Sequence, residues 1–344
     1  MLHGRRLTVF LILAVLALPF LGLNLFGQDK DKDKDKEKKT PKDPTKVTLA
    51  WKFEKDKTFY QTMTTKTTQT MKVMSNDVTQ NQEQTFYFSW KWLKDEGGKW
   101  EIEQTILGVK MDIDIGGSPI KYDSTTPATN NTSNPLSEFF KALVGSKFKL
   151  TLDPKTLKIT KIEGRDEFLK KLVTANKQMQ PLLEKILSDD ALRQMAEPTF
   201  AVISNDAVEK GKTWKKESKL DMGPIGTYKN EYTYTYEGPD TATKFEKIKV
   251  DTKLTYSPPE KADGVGGLPF KIKSADLASK NATGNIWFNK DKGRVEKTEM
   301  SLDLEGKLKI EIGGQPTDVE LKQNQKTSVT TSDTNPVEKA APGK

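Results

Sequence analysis

Residues 58–73, TFYQTMTTKTTQTMKV, and residues 99–115, KWEIEQTILGVKMDIDI, decide the fold of this chain. Both runs are rich in threonine, valine, isoleucine or aromatic residues, and their polarity alternates with the period of a half-buried β-strand. VTLAWKFE at 47–54 and QEQTFYFSWKWLK at 82–94 share this pattern, and DK, SND and DEGG turn signals separate the runs. Residues 47–115 therefore predict an antiparallel meander.

The next part of the chain predicts a loop, a short helix and a hairpin. Pro127 and Pro135 bound a polar loop, and a helix is expected at 136–144. KFKLTLDPKTLKITKIE at 147–163 reads as two strands that turn at Asp-Pro-Lys, because aspartate and proline favour tight turns.

Residues 166–197 predict amphipathic helices. Apolar residues recur there at the spacing of one helix face: Phe168, Leu172, Ala175, Met179, Leu182 and Ile186. Asp166 is a suitable N-cap, Pro181 interrupts or restarts the helix, and a second short helix is expected at 190–196. We expect these helices to cover an open face of the sheet.

The strand pattern returns after the helices and resembles the first half. EKDKTFYQT at 54–62 matches EKGKTWKKE at 209–217, and residues 98–119 match residues 293–316 in the same order, which indicates an internal duplication. The predicted fold is mainly β with α: a duplicated, curved antiparallel β-meander, forming a half-barrel or open barrel, with amphipathic helices inserted between the halves. The predicted segments are a first β half at 47–165, helices at 166–197, a second β half at 198–331 and a disordered tail at 332–344.

The N-terminus predicts export from the cytoplasm. Arg5 and Arg6 precede an uncharged apolar run from Leu7 to Phe26, which is the pattern of a secretory signal. The run is close to the ~20 residues that span a bilayer, so residues 1–28 are either a cleaved signal or a membrane anchor. Residues 29–46 are nearly all charged or proline and predict a disordered linker. The protein is therefore expected to be periplasmic or secreted, or anchored to the inner membrane by this segment.

Missing residue types exclude several classes of chemistry. The chain has no cysteine, and its one histidine, His3, lies in the predicted signal, so histidine-dependent triads, thiol nucleophiles and the common zinc sites are excluded. Phosphate-binding GxxxxGK[ST] and GxSxG motifs do not occur. We predict no catalytic residues, no metal site, no cofactor and no enzymatic activity. The net charge of +8 forms no basic face, so a nucleic-acid partner is not expected.

Two kinds of side-chain cluster are candidate functional sites. Aromatic residues occupy alternate strand positions and so share a sheet face, either as core or as the lining of a cavity for an apolar ligand: Phe86, Phe88, Trp90, Trp92, Tyr232, Tyr234 and Tyr236. Tyr122, Asp123 and Ser124 form either a polar functional cluster or an Asx turn. The acid pairs Glu101/Glu103 and Asp112/Asp114 alternate with isoleucine, as on a solvated outer face.

Several short motifs resemble a family of exported bacterial proteins known only as a domain of unknown function. The motifs are WKFEKDKTFYQ, LKDEGGKWEIE, Tyr-Asp-Ser at 122–124, KFKLTLDPKTLKITKIEG and GKTW at 211–214. This resemblance implies export and a β-rich fold, and brings no activity or catalytic residue. In architecture the chain also looks like the half-barrels of periplasmic lipoprotein carriers.

Three functional hypotheses follow. The first is a non-enzymatic protein whose curved sheet binds a lipid, another apolar small molecule or an envelope protein. The second is a structural or interaction module of the cell envelope, for which an exposed apolar patch is expected. The third is a carboxylate-dependent hydrolase, which needs two acids about 5 to 9.5 Å apart in a cleft.

Overall fold

The computed structural model describes residues 46–55, 57–73, 76–126, 135–259, 268 and 270–338. The predicted signal or anchor, the predicted linker up to residue 45, most of the loop after Pro127 and the last six residues lie outside these ranges. Among the described residues, no helix combines the length and the apolar character that crossing a bilayer requires.

Strands dominate the described chain. They are β1 (Thr58–Val73), β2 (Asn76–Glu96), β3 (Lys99–Ile115), β4 (Ser118–Asp123), β5 (Lys147–Asp153), β6 (Lys158–Glu163), β7 (Thr213–Asp221), β8 (Thr227–Pro239), β9 (Glu246–Ser257), β10 (Phe270–Asn289), β11 (Arg294–Ile312) and β12 (Gln315–Ser332). The helices are α1 (Pro135–Leu143), α2 (Arg165–Ala175), α3 (Gln180–Ile186) and α4 (Asp189–Ala196).

All of these strands belong to one 12-stranded sheet with the order β6-β5-β3-β2-β1-β12-β11-β10-β9-β8-β7, and β4 also pairs with β3. The pairings are antiparallel. The two sequence halves meet where β1 pairs with β12, from Tyr60 opposite Ser332 to Val73 opposite Val319. The predicted class is confirmed: a mainly β, curved antiparallel sheet that is not closed strand to strand, with helices between the halves.

The two sequence repeats occupy comparable places. The first pair of matches leads into β1 and β7, and the second ends in the tight turns after β3 and β11. Gly116-Gly117 and Gly313-Gly314 form these turns with φ angles of 58° and 85°, and of 58° and 81°. Glycine adopts such positive φ angles without steric cost. The halves are not identical, because β2 alone separates β1 from β3, whereas β8, β9 and β10 separate β7 from β11.

The helices follow the predicted pattern with one correction. α3 carries Pro181 in its first turn, where its missing N–H costs nothing, so the predicted restart is confirmed. Asp166 was expected to cap the second helix, but the N-cap is Gly164, in the left-handed conformation. The chain passes so close to β5 there that a Cβ on Gly164 would lie 2.2 Å from the Lys147 carbonyl oxygen. Only glycine fits, and the helix begins before Asp166.

Helix α4 contacts both edges of the curled sheet, β6 and β7. The Gln194 side chain on α4 accepts a hydrogen bond from the Asp221 backbone N–H at the end of β7, at 3.1 Å. Glu197, directly after α4, accepts one from the Ile159 backbone N–H on β6. The helix therefore satisfies backbone groups on two strands that would otherwise be exposed sheet edges.

An aromatic cluster fills the end of the sheet where β1 begins and β2 ends. The Trp51 ring meets Phe200 at 5.5 Å and Phe288 at 5.6 Å, both edge to face, and its indole N–H donates to the Phe200 carbonyl at 2.8 Å. Trp90 packs edge to face on Phe200 at 5.7 Å. This cluster joins the segment before β1 to strands from both halves and to the chain after α4.

Substitutions of Trp51 should separate its packing from its hydrogen bond. Trp51→Ala should lower the free energy of unfolding by about 3–5 kcal/mol, because a large buried ring leaves a void. Trp51→Phe keeps the ring contacts and should cost about 1–2 kcal/mol, mainly for the lost indole N–H bond. Urea denaturation measures both values, and equal losses in the two variants would contradict this account.

Glu197 should make stability depend on pH. Glu197 is 4% exposed, and burial raises the pKa of its carboxyl above the ordinary value, although Arg193 and Lys158 oppose the shift. A raised folded-state pKa means that ionisation costs more in the folded protein, so stability falls as pH rises from the unfolded pKa through the folded one. Glu197→Gln should therefore stabilise the protein at pH 7 and leave stability nearly unchanged near pH 3.5, below the ordinary glutamate pKa. Thermal melts of both proteins at the two pH values test this; a gain at low pH only would contradict it.

Candidate functional site

The inner face of the sheet, the face whose side chains are buried, carries a group of uncharged polar residues on its three central strands. We call this group the polar belt. Its members are Thr65, Thr67 and Gln69 on β1, Gln80, Gln82 and Gln84 on β2, and Gln323, Gln325 and Thr327 on β12. All but the partly buried Gln82 are buried, and Gln69 is 0% exposed.

The strand register arranges the belt in three rows. Gln69 lies between Gln80 and Gln323 in the first row, which we call the glutamine row. Thr67 lies between Gln82 and Gln325 in the second, and Thr65 lies between Gln84 and Thr327 in the third. Since side chains directly opposite each other in an antiparallel pair are neighbours on one face, the nine side chains form one continuous patch.

Apolar residues frame the belt on every side of the sheet surface. The next row beyond Gln69 holds Met71, Val78 and Leu321, and the row beyond Thr65 holds Met63, Phe86 and Val329. β3 flanks the belt with Met111, Ile113 and Ile115, and β11 flanks it with Met300, Leu302 and Leu304. The belt is thus a polar patch surrounded by apolar side chains on the same face of the sheet.

Hydrogen bonds run along the strands within the belt. Gln80 donates to Gln82 at 2.9 Å, and Gln82 donates to Gln84 at 3.2 Å. Gln323 donates to Gln325 at 3.4 Å, Gln325 to Thr327 at 3.4 Å, and Thr327 and Thr65 share a bond of 3.2 Å. Both glutamine chains direct their amide nitrogens away from the glutamine row and leave carbonyl oxygens in it.

The glutamine row contains four buried polar atoms without a hydrogen-bond partner among the described residues. They are Nε2 and Oε1 of Gln69, Oε1 of Gln80 and Oε1 of Gln323. A buried polar atom without a partner costs about 1–3 kcal/mol, so four cost roughly 4–12 kcal/mol, comparable with the ~5–15 kcal/mol net stability of a domain. Water molecules or the polar part of a ligand could form the missing hydrogen bonds with these four atoms.

The first predicted aromatic row also lies on the inner face, between the belt and the aromatic cluster. Phe86 and Phe88 are buried and stack at 5.8 Å. Trp90 is buried, stacks on Phe59 at 6.4 Å, and donates its indole N–H to Gln61 at 2.8 Å. Trp92 is partly buried against the core. The four share one face, as predicted; Phe86 borders the belt and Trp90 belongs to the filled aromatic end.

The second aromatic row lies on β8, on the same inner face, and is buried. Tyr234 stacks on Trp214 at 5.5 Å and on Tyr232 at 6.0 Å. The Tyr232 hydroxyl lies 3.4 Å from that of Ser218. Tyr236 donates to the buried Glu246 carboxylate, and burial, followed by this bond, raises the pKa of Tyr236. The Tyr236 hydroxyl is therefore neutral at physiological pH.

Tyr122 and Asp123 end β4, and Ser124 begins the turn that follows. The Asp123 carboxylate accepts hydrogen bonds from the Thr125 backbone N–H at 2.9 Å and from its hydroxyl at 2.6 Å, which is the Asx turn that the sequence allowed. Ser124 accepts the Val109 N–H at 2.8 Å, and Tyr122 packs on Phe140 of α1 at 5.8 Å.

The acid pairs lie among lysines. Glu101 is 3.7 Å from Lys94 and 3.9 Å from Lys149. Asp112 is 2.9 Å from Lys121. Within the described ranges, no three acidic or histidine side chains are grouped as a metal site requires.

The polar belt could not be read from any one strand. On β1 both faces are polar, since Thr65, Thr67 and Gln69 alternate with Lys66 and Thr68. Only the lysines mark the outer face, and the belt emerges only when β12 is placed beside β1. The one sequence feature that pointed to the belt is the presence of three glutamines at alternate positions of β2, a spacing that places their side chains on one face of the sheet.

Two glutamines on the same strand and face should respond oppositely to the same substitution. Gln61 accepts from the Trp90 indole and donates to Thr331 at 3.3 Å, so Gln61→Leu should lower the free energy of unfolding by about 1–3 kcal/mol by leaving the indole N–H unpaired. Gln69→Leu removes two unpaired atoms and should raise it by about 1–3 kcal/mol. Urea denaturation measures both changes, and destabilisation of equal size in the two variants would refute the assignment.

Comparison with known proteins gives a family and distant structural similarities. No curated protein sequence matches the chain. Lipovitellin, in a structure concerned with lipid–protein interactions, has a TM-score of 0.42 and 12% identity, over 84% of this chain and 27% of its own; the chain thus spans about a quarter of that protein. OccK5 (OpdH) of Pseudomonas aeruginosa has a TM-score of 0.20 and 8% identity, over 81% of this chain and 99% of its own.

The family match covers most of the folded chain. It begins at residue 97, in the turn between β2 and β3, and ends at residue 335, just after β12. The expected resemblance to a domain of unknown function is thereby confirmed. Because the match extends over more than half of the sequence, the chain belongs to the family of unknown function DUF6263.

Proposed function

We propose that this protein binds an amphipathic small molecule, such as a lipid, on the inner face of its curved sheet, outside the cytoplasm and without catalysis. The observation that carries the proposal is the polar belt: unpaired, buried, uncharged polar atoms enclosed by apolar side chains. Ligand sites are commonly lined by apolar residues with a few placed polar groups that orient the ligand. The belt and its frame have this composition.

The apolar frame would hold the hydrocarbon part of such a ligand. Met71, Leu321 and Phe86 border the belt along the strands, and further methionine, leucine and isoleucine side chains flank it on β3 and β11. Methionine is flexible and polarisable, so a lining that contains Met63, Met71, Met111 and Met300 adapts to acyl chains of different shape.

The cellular location in this proposal rests on the N-terminal sequence. The apolar run from Leu7 to Phe26 behind two arginines is typical of an export signal or anchor. The charged residues 29–46 would then hold the β-sheet domain away from the membrane surface.

The outer surface supports a binding function over the alternative of an apolar docking module. Among the residues that the structure describes, Leu93 is the only large hydrophobic side chain that is exposed. A docking surface built on apolar contact would need a continuous patch. The hydrolase alternative needs two acids in a cleft, but Glu101 and Asp112 of the candidate acid pairs form ion pairs with lysines. For this reason we propose a binding protein without enzymatic activity.

Native mass spectrometry and lipid extraction of the purified full chain test the proposal. We expect the protein to carry the added mass of a small molecule that organic solvent extracts, either as purified or after incubation with vesicles of host lipids. A protein that carries no added mass in both conditions would overturn the proposal.

A matched pair of variants locates the bound molecule. Thr67→Phe places a bulky ring in the centre of the belt and should abolish the added mass. Thr68→Phe places the same ring on the exposed outer face of β1 and should leave it unchanged. Circular dichroism verifies that both variants are folded, and retention of the molecule by folded Thr67→Phe would place it elsewhere.

A further inference from the structure

We infer that the polar belt selects an uncharged head group that carries hydroxyl or amide groups, so that the ligand is a neutral lipid and not an anionic one. This inference rests on the function proposed above and specifies its ligand class. It is drawn from the composition of the belt, the direction of its hydrogen bonds and the position of the nearest charges.

The belt contains no ionisable group. All nine side chains are carboxamides or hydroxyls, which both donate and accept hydrogen bonds. The charged residues of the same stretch point outward, where Lys66 pairs with Glu83 at 3.1 Å and both are exposed. A phosphate or carboxylate in the belt would thus be a buried charge without a cation beside it, which is strongly unfavourable.

The unpaired atoms favour a ligand that donates hydrogen bonds. Three of the four are carbonyl oxygens, on Gln69, Gln80 and Gln323, and only one is an amide nitrogen, on Gln69. Ionised phosphate and carboxylate oxygens only accept, so they would leave the three carbonyl oxygens unpaired. The hydroxyls of a glycerol or sugar, or the N–H of an amide, supply the missing donors.

Among the described residues, the buried cations of the inner face, Lys216 and Arg294, lie away from the belt in the sheet. Lys216 is buried on β7, and four strands separate β7 from β12 in the sheet order. Arg294, at the start of β11, is bonded to Glu296 at 3.0 Å and to Asp333 at 2.6 Å. A variant of Lys216 tests recognition of an anionic head group, whereas variants in the glutamine row test recognition of a neutral one.

The experiment compares two fluorescent probes on the full chain: a monoacylglycerol and the lysophosphatidic acid with the same labelled acyl chain. The probes differ only in the phosphate. Fluorescence titration should give a Kd at least about tenfold lower for the monoacylglycerol, the factor expected when one probe satisfies a buried hydrogen bond that the other leaves unmade.

Three variants assign the preference. Gln69→Leu should weaken monoacylglycerol binding about tenfold and remove most of the preference. Gln104→Leu is the matched control, because Gln104 is also a buried glutamine with an unpaired amide nitrogen, but it lies opposite Trp90, outside the belt; it should keep the preference. Lys216→Met should leave monoacylglycerol binding unchanged.

The outcomes separate this inference from the proposed function. Three results would overturn the inference and still leave a lipid-binding function. They are equal binding of the two probes, tighter binding of lysophosphatidic acid that Lys216→Met abolishes, and an unchanged preference in Gln69→Leu. Failure of both probes to bind the wild-type chain would overturn the proposed function and the inference together.

Discussion

The backbone pairing of the first strand with the last is the interaction on which the rest of this structure depends. β1 and β12 run side by side from Tyr60 opposite Ser332 to Val73 opposite Val319. This pairing brings together residues that are more than two hundred positions apart, and the loop-closure entropy of such a contact must be offset by the many bonds that form with it. Without it there would be two smaller meanders, no common inner face and no polar belt, because six of the belt residues lie on β1 and β12.

The same pairing determines where the sheet ends. With β1 and β12 in the middle, the strands on either side of the helical segment, β6 and β7, become the two edges. The helical segment must then connect one edge to the other, and α4 lies between them with Gln194 bonded to β7 and Glu197 to β6. The helices were expected to cover a sheet face; α4 contacts both edges, which protects them from pairing with other chains.

Local features of this fold could be predicted from sequence, whereas features that depend on distant pairing could not. Alternating polarity identified β1, β2 and β3, but residues 47–54, also predicted as a strand, form only an isolated bridge from Val47 to Val208. The Asp-Pro-Lys turn, the restart at Pro181 and the shared face of Phe86 and Phe88 follow from neighbouring residues. Asp166 failed as an N-cap because the close approach of α2 to β5, which demands glycine at 164, is a tertiary contact. The belt was missed for the same reason: β1 is polar on both faces, and only its partner strands show which polar face is buried.

The contrast between Gln61 and Gln69 supports the binding role that we propose for the belt. Both lie on the inner face of β1, yet Gln61 is bonded to Trp90 and Thr331, while both side-chain polar atoms of Gln69 lack partners. The adjacent row, with Met71, Val78 and Leu321, shows that apolar side chains fit this part of the inner face. A chain under pressure for stability alone would carry apolar residues in the glutamine row as well, since an unsatisfied buried network is less stable than an apolar core. In the function proposed here, a polar group of the ligand would offset the desolvation of these three neighbouring glutamines, which come from two distant parts of the sequence.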